Sequence, residues 1–234
     1  ETQLSPNSTA RSRLAYDELL ANQLALGLIR NRQKKHLGKV IKPYNKLRNL
    51  AINTLPYDLT SGQIAVIREI DNDLASEDKM LRLLQGDVGS GKTIVAFLTL
   101  ISTVEAGFQG AFMAPTEILA RQHFEFFKPI ASKIGISVDI ITGKDTKSQR
   151  ALILEKLETG ATNLLIGTHA LFQNEVKFKN LGYAVIDEQH KFGVNQRLAL
   201  GDKGAGTNIL IMTATPIPRT LTMIGYGDLD ISLS

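Results

Sequence analysis

Two hydrophobic patterns alternate along most of this chain. Short apolar runs at Leu81–Gln85, 110–114, Val138–Ile141, 164–166, 183–186 and 209–212 read as strands, the last two closing the set. Between them, 60–75, 93–105, 117–134 and 148–158 carry helical spacing, with Thr60 placed to cap the first helix. Near-continuous apolar strands are buried on both faces. Their alternation with helices predicts an α/β domain with a mostly parallel sheet covered by helices on both sides.

The first 55 residues carry another pattern. Ser5-Pro6 reads as a helix start. From about 10 to 32, Leu20, Leu24 and Leu28 recur every four residues beside Ala21 and Ala25, giving a long helix with an apolar stripe. That stripe must lean on the following domain or on residues outside this sequence. Pro43 and Pro56 punctuate the basic stretch after this helix. We place a boundary near Leu55, with 1–55 a helical and basic linker segment and 56–234 the main domain.

Charge sharpens this division. The 234 residues carry a net charge of +4. No acidic residue lies between Glu18 and Asp58, whereas Arg30, Arg32, Lys34, Lys35, Lys39, Lys42, Lys46 and Arg48 fall there. Such a run could meet phosphates or form a solvated, self-repelling linker. Sparse aromatics (9 Phe, 5 Tyr, no Trp) argue against a stacking platform for single strands. Cysteine is absent, which removes disulfides and thiolate chemistry and fits a cytoplasmic setting. No stretch approaches the roughly 20 apolar residues that span a bilayer, so no membrane partner is expected. The chain opens at Glu1 and ends inside patterned sequence, so we expect it to be a piece of a longer protein.

The strongest chemical signal is Gly86-Asp87-Val88-Gly89-Ser90-Gly91-Lys92-Thr93, which fits G-x-x-x-x-G-K-[ST] between a predicted strand and a predicted helix. Its glycines let the backbone bend around phosphates with successive N–H groups turned inward. The helix start adds a positive end. Lys92 can reach the outer phosphates of ATP, and Thr93 can ligand Mg²⁺.

A second signal is an apolar strand ending in Asp187-Glu188-Gln189-His190. Carboxyls at the C-terminal end of a parallel strand face the ligand crevice of such folds. Asp187 is the candidate magnesium acid, and Glu188 the candidate base that orients the attacking water. His190, with Gln189, could relay nucleotide state to bound nucleic acid or satisfy a local carbonyl; we favour the relay. Metal binding by His36, His123, His169 and His190 lacks close ligand spacing. Thr213 and Thr215 flank Ala214 after the last expected strand, which suits coupling or a plain turn before Pro216. Pro115-Thr116 and Thr168-His169 come after strands and offer donors for sugar-phosphate contact; Thr142-Gly143-Lys144 could contribute similarly. Gln63, upstream of the phosphate loop, has an amide that could read the adenine edge, or it could be an exposed residue in a capping turn.

In this order, 59–63, 86–93, 114–117, 166–170, 187–190 and 213–215 resemble the motifs of superfamily 2 helicases. More narrowly, 83–93, Asp187-Glu188-Gln189-His190-Lys191-Phe192-Gly193-Val194 with Gln196-Arg197, and 212–221 resemble the RecG family of bacterial branched-DNA helicases. The N-terminal stretch 10–20 resembles the segment joining that family's DNA wedge to its motor. The resemblance implies the first of two RecA-like motor domains. It implies a monomeric ATP- and Mg²⁺-dependent helicase acting on stalled forks and Holliday junctions in recombination and repair, with a single-strand-binding protein as a further partner. The resemblance also implies that the wedge and the second motor domain with its arginine finger lie outside this sequence. An arginine finger contributes roughly 10³–10⁵ in rate, so this piece alone is expected to be nearly inactive. One departure is Lys191 where the family usually has arginine; lysine lacks the planar fork. Transcription–repair coupling translocases rank second because their acidic motif usually lacks the histidine. An RNA helicase, an inert scaffold and a metabolite kinase are the other readings weighed.

Overall fold

A computed structural model describes residues 37–187, 206–214 and 230–233. The helix expected over 10–32, with Arg30, Arg32, Lys34 and Lys35, lies outside the described residues.

Six strands form where the apolar runs place them: β1 (Leu81–Gln85), β2 (Gln109–Met113), β3 (Val138–Ile141), β4 (Leu164–Gly167), β5 (Leu181–Asp187) and β6 (Asn208–Thr213). The expected set ends there, but the structure adds β7 (Asp230–Leu233), which pairs with β1. Four residues alternating polar and apolar do not make the continuous run that marks the inner strands, so pattern alone misses an edge strand of this kind. The order is β3-β4-β2-β5-β6-β1-β7, and every described strand pairing within this sheet is parallel. The C-terminal ends of the strands therefore share one edge.

Successive side chains feed two cores on opposite faces, as a period of two requires. Leu84, Phe112, Leu164, Ile166, Tyr183, Val185, Leu210 and Met212 join one core. Leu83, Ala111, Met113, Leu165, Ala184, Ile186, Ile209 and Ile211 join the other. The first core is roofed by α1 (Lys46–Ile52), α2 (Ser61–Leu74), α3 (Lys92–Glu105) and α4 (Glu117–Lys133); α5 (Lys147–Thr159) places Leu157 in the second.

Helix α3 is the central one. Every side chain from Ile94 to Thr103 is buried, and its three polar members, Thr99, Ser102 and Thr103, return hydrogen bonds to carbonyls one turn back. Gly110 lets this helix approach the sheet: a Cβ there would lie 2.6 Å from Leu100 Cδ2 and 2.7 Å from Leu164 Cδ2. On α4, Phe127 stacks on Phe97 at 4.2 Å and meets Phe112 edge-on at 5.2 Å. Such pairs contribute about 0.5–1.5 kcal/mol each beyond area burial.

Part of the described basic stretch is built into this core, while Lys42 and Lys46 are exposed. Ile41 and Ala51 are fully buried. Arg48, on α1, forms a two-bond ion pair with Asp71 of α2 and also donates to Ser102 of α3. Lys39 Nζ donates to Asn180 Oδ1 and to the Leu181 carbonyl, and burial pulls its pKa down. These two cations satisfy buried acceptors, a third use beside the two weighed for the run.

Candidate nucleotide and nucleic-acid site

The phosphate loop leaves β1 at Gly86 and enters α3 at Lys92. Gly89 and Gly91 have φ of +86° and +84°, a region that side chains disfavour. Asp87, Val88 and Gly89 are exposed, while Lys92 is buried and Thr93 half-buried. Lys92 Nζ donates to the carbonyls of Gly86 and Asp87 at 2.7 and 2.8 Å, which holds the ammonium across the mouth of the loop. Gly86 N–H donates to the Thr213 carbonyl at 3.3 Å, fixing the loop to β6.

Thr213 is the centre of the arrangement. In register, Gln85 of β1 faces Thr213, while Asp187 of β5 faces Met212. The loop and Asp187 thus sit at the ends of strands on either side of β6, about 10 Å apart at the usual strand spacing. That gap suits a phosphate chain with its cation. The positive-φ glycines, the lysine at the loop mouth, the hydroxyl of Thr93 and the carboxylate of Asp187 form a donor set that fits a magnesium nucleotide. Glu188, Gln189, His190 and Thr215 lie outside the described residues.

Gln63 is buried, and both ends of its amide are bonded. Its Oε1 accepts from Thr60 N–H and the Thr60 hydroxyl accepts from Gln63 N–H, a reciprocal cap on α2. Its Nε2 donates to the Ser90 carbonyl at 3.0 Å. The capping turn is therefore present, but the glutamine is not exposed: it braces the phosphate loop. One N–H and one lone pair of the amide remain for a base edge.

The other half of the edge carries the loops expected to meet nucleic acid. Since β4 lies between β3 and β2, Thr168-His169 sits between Thr142–Lys144 and Pro115-Thr116. Thr116 caps α4 by accepting from Leu119 N–H. Glu117 pairs with Arg121 at 3.0 Å and with Lys144 at 3.6 Å, joining two of these loops. Lys144 is largely exposed and His169 exposed, whereas Thr168 is half-buried and starts a short 3₁₀ turn, His169–Phe172.

Two residues of this edge were not singled out by sequence. Arg150 on α5 donates to Glu175 Oε1, Gln173 Oε1 and the Thr142 carbonyl, bracing the loop after β3 against the segment after β4. His123 on α4 places Nε2 3.1 Å from Asp187 Oδ2. The partners lie 25 and 64 residues away respectively, so no local spacing could reveal either. No cluster able to hold a metal through three or more His, Cys, Asp or Glu occurs among the described residues. No helix among them is long and apolar enough to cross a membrane.

Known proteins are similar to this chain. Residues 60–224 match the family model described as DEAD/DEAH box helicase. The ATP-dependent DNA helicase RecG of Thermotoga maritima is 50% identical over 224 residues, 96% of this chain and 29% of that protein. Its counterpart in Aquifex aeolicus is 49% identical over 223 residues, 94% of this chain and 28% of its own length. The solved structure of RecG bound to a three-way DNA junction superposes with a TM-score of 0.85 at 47% identity, covering 96% of this chain and 30% of that one. The chain thus spans under a third of these relatives. It belongs to the DEAD/DEAH box helicase family, and within that family it is similar to the bacterial RecG helicases.

Proposed function

We propose that the protein carrying this chain is an ATP-dependent helicase or translocase on branched DNA, working at stalled forks and Holliday junctions in recombination and repair. This chain would supply the first motor domain, residues 56–234, with the described part of the preceding segment, 37–55, packed onto its core. The observation that carries this reading is the placement of the phosphate loop and Asp187 on either side of Thr213 at one sheet edge. The family likeness, including that to a relative solved on a three-way junction, points the same way.

On this reading, the amides of 86–93 and Lys92 hold the phosphates of ATP. Thr93 and Asp187 hold Mg²⁺, which when bound neutralises phosphate charge. Glu188 orients and deprotonates the attacking water, and Gln63 braces the loop while its remaining donor and acceptor read adenine. Gln189, His190, Thr213 and Thr215 couple this site to the DNA loops. Pro115, Thr116, Thr168 and His169 contact the sugar-phosphate backbone. A monomeric state and a single-strand-binding partner belong to the same reading.

The test compares DNA-stimulated phosphate release by the protein carrying this chain and by its Glu188→Gln variant, alongside unwinding of matched DNA and RNA forks. DNA-dependent release that falls by about 10²-fold or more in the variant is expected. Equal release by the two would remove Glu188 as the base. RNA unwinding equal to that of DNA would favour an RNA helicase instead.

A further inference from the structure

Helix α4 spans the two halves of the sheet edge. It begins at the Thr116 cap, among the loops assigned to nucleic acid, and two turns later carries His123. Seven residues return almost to the same face of a helix, about 10 Å along its axis. The imidazole centroid lies 4.6 Å from that of Phe112 and 6.0 Å from that of Phe127, and only 12% of the side chain is exposed. Packing therefore sets the ring direction. In the tautomer with its proton on Nε2, the ring donates to Asp187 Oδ2 at 3.1 Å.

A fixed donor facing a single carboxylate orients the carboxylate. We propose that His123 is a positioning residue. It holds one oxygen of Asp187 so that the other is presented to magnesium, and it ties that acid to the nucleic-acid end of α4. This rests on the magnesium-nucleotide reading above and deepens it. Outer-shell hydrogen bonds to metal ligands typically contribute roughly 10–100-fold in metal affinity. The inert-looking middle of α4 thereby becomes a link between the two halves of the edge.

The test measures binding of a fluorescent, non-hydrolysable ATP analogue to the protein carrying this chain, in EDTA and in saturating Mg²⁺. The ratio of the two affinities is the magnesium gain. His123→Leu is expected to keep the EDTA affinity while its gain shrinks by about tenfold or more. His123→Gln, which restores an N–H donor, recovers part of the gain. Should leucine disturb folding, as a melting curve would reveal, His123→Phe keeps a ring beside Phe112 and Phe127 and is expected to show the same loss. Asp187→Asn abolishes the gain, and adding His123→Leu to it changes nothing more. A wild-type gain in His123→Leu or His123→Phe, with Asp187→Asn still defective, overturns the role of His123. A gain that survives Asp187→Asn instead sinks the magnesium reading itself. Junction DNA should shift the gain of wild type but not of His123→Leu; a shift of equal size in both removes the link to nucleic acid.

Discussion

Gln63 donates through Nε2 to the Ser90 carbonyl at 3.0 Å, so the first turn of α2 is tied to the crown of the phosphate loop. The tie needs a glycine next door. A Cβ on Gly91 would lie 2.2 Å from that Nε2, at a φ of +84°.

Gly91→Ala should therefore break the tie and strain the backbone together. We expect a loss of about 1–3 kcal/mol in stability, read from urea midpoints. Nucleotide affinity should fall by roughly tenfold, as when one hydrogen bond worth about 1.5 kcal/mol is lost. Gln63→Ala separates bracing from base reading. If the amide also reads adenine, the variant binds ATP and GTP analogues equally; if it only braces, both affinities fall by the same factor.

The buried pair of Arg48 and Asp71 gives the second prediction. Their side chains are 6% and 13% exposed, and Ser102 completes the guanidinium's partners. Arg48→Met leaves Asp71 with an uncompensated buried charge, and a cost of about 3–5 kcal/mol is expected. The double change Arg48→Met with Asp71→Leu removes both charges and should recover most of it. Denaturant midpoints of the three proteins check this, and a double variant no better than the single would show that the charge is not the cause.

These residues also show how far the sequence could be read. The phosphate loop and β1 were legible because everything that defines them is local: a short strand carrying three leucines, glycines at the turns, then a helix. Thr60 could be placed as a cap for the same reason. Arg48 was read only as part of a basic run, because its burial depends on Asp71 and Ser102, 23 and 54 residues away. His123 was weighed only as a metal ligand, since nothing near it in sequence points to Asp187. β7 is short and alternating, and its place is set by pairing with β1 rather than by its own pattern. Local chemistry was therefore visible, and long-range partnership was not.

Tyr183 supplies a pH prediction. Its side chain is fully buried, and its hydroxyl lies 3.2 Å from Thr99 Oγ1. Burial pushes its pKa well above the ordinary value of about 10, against a smaller opposing effect of the hydrogen bond to Thr99. The neutral form is favoured only in the folded chain. Its contribution is thus fully present below about pH 10 and is lost as pH rises towards the folded value, because the unfolded chain ionises first. The associated slope approaches ~1.4 kcal/mol per pH unit. Tyr183→Phe should flatten the fall in stability above pH 10 while costing ~0.5–1.5 kcal/mol at neutral pH. Thr99 keeps its bonds to the Val95 and Ala96 carbonyls, so no buried hydroxyl is stranded. An unchanged alkaline slope would assign the loss to other groups.

Thr116 tests whether the loop after β2, proposed to meet DNA, would act by positioning or by charge. Its hydroxyl accepts from Leu119 N–H and caps α4, with Glu117 in the first turn, where the helix dipole favours an acid. Thr116→Ala should cost about 1 kcal/mol of stability and weaken DNA binding by loosening the helix start. It removes no cation, so the dependence of binding on salt should keep its slope. Lys144→Ala should do the reverse. It leaves the cap intact, removes an exposed cation now 3.6 Å from Glu117, and should reduce the slope by about one if Lys144 meets a phosphate. Titrating junction DNA against both variants over a range of salt separates the two effects. A changed slope in Thr116→Ala would mean that the cap arranges the cations of this edge, Arg121 and Lys144, as well as the helix behind them.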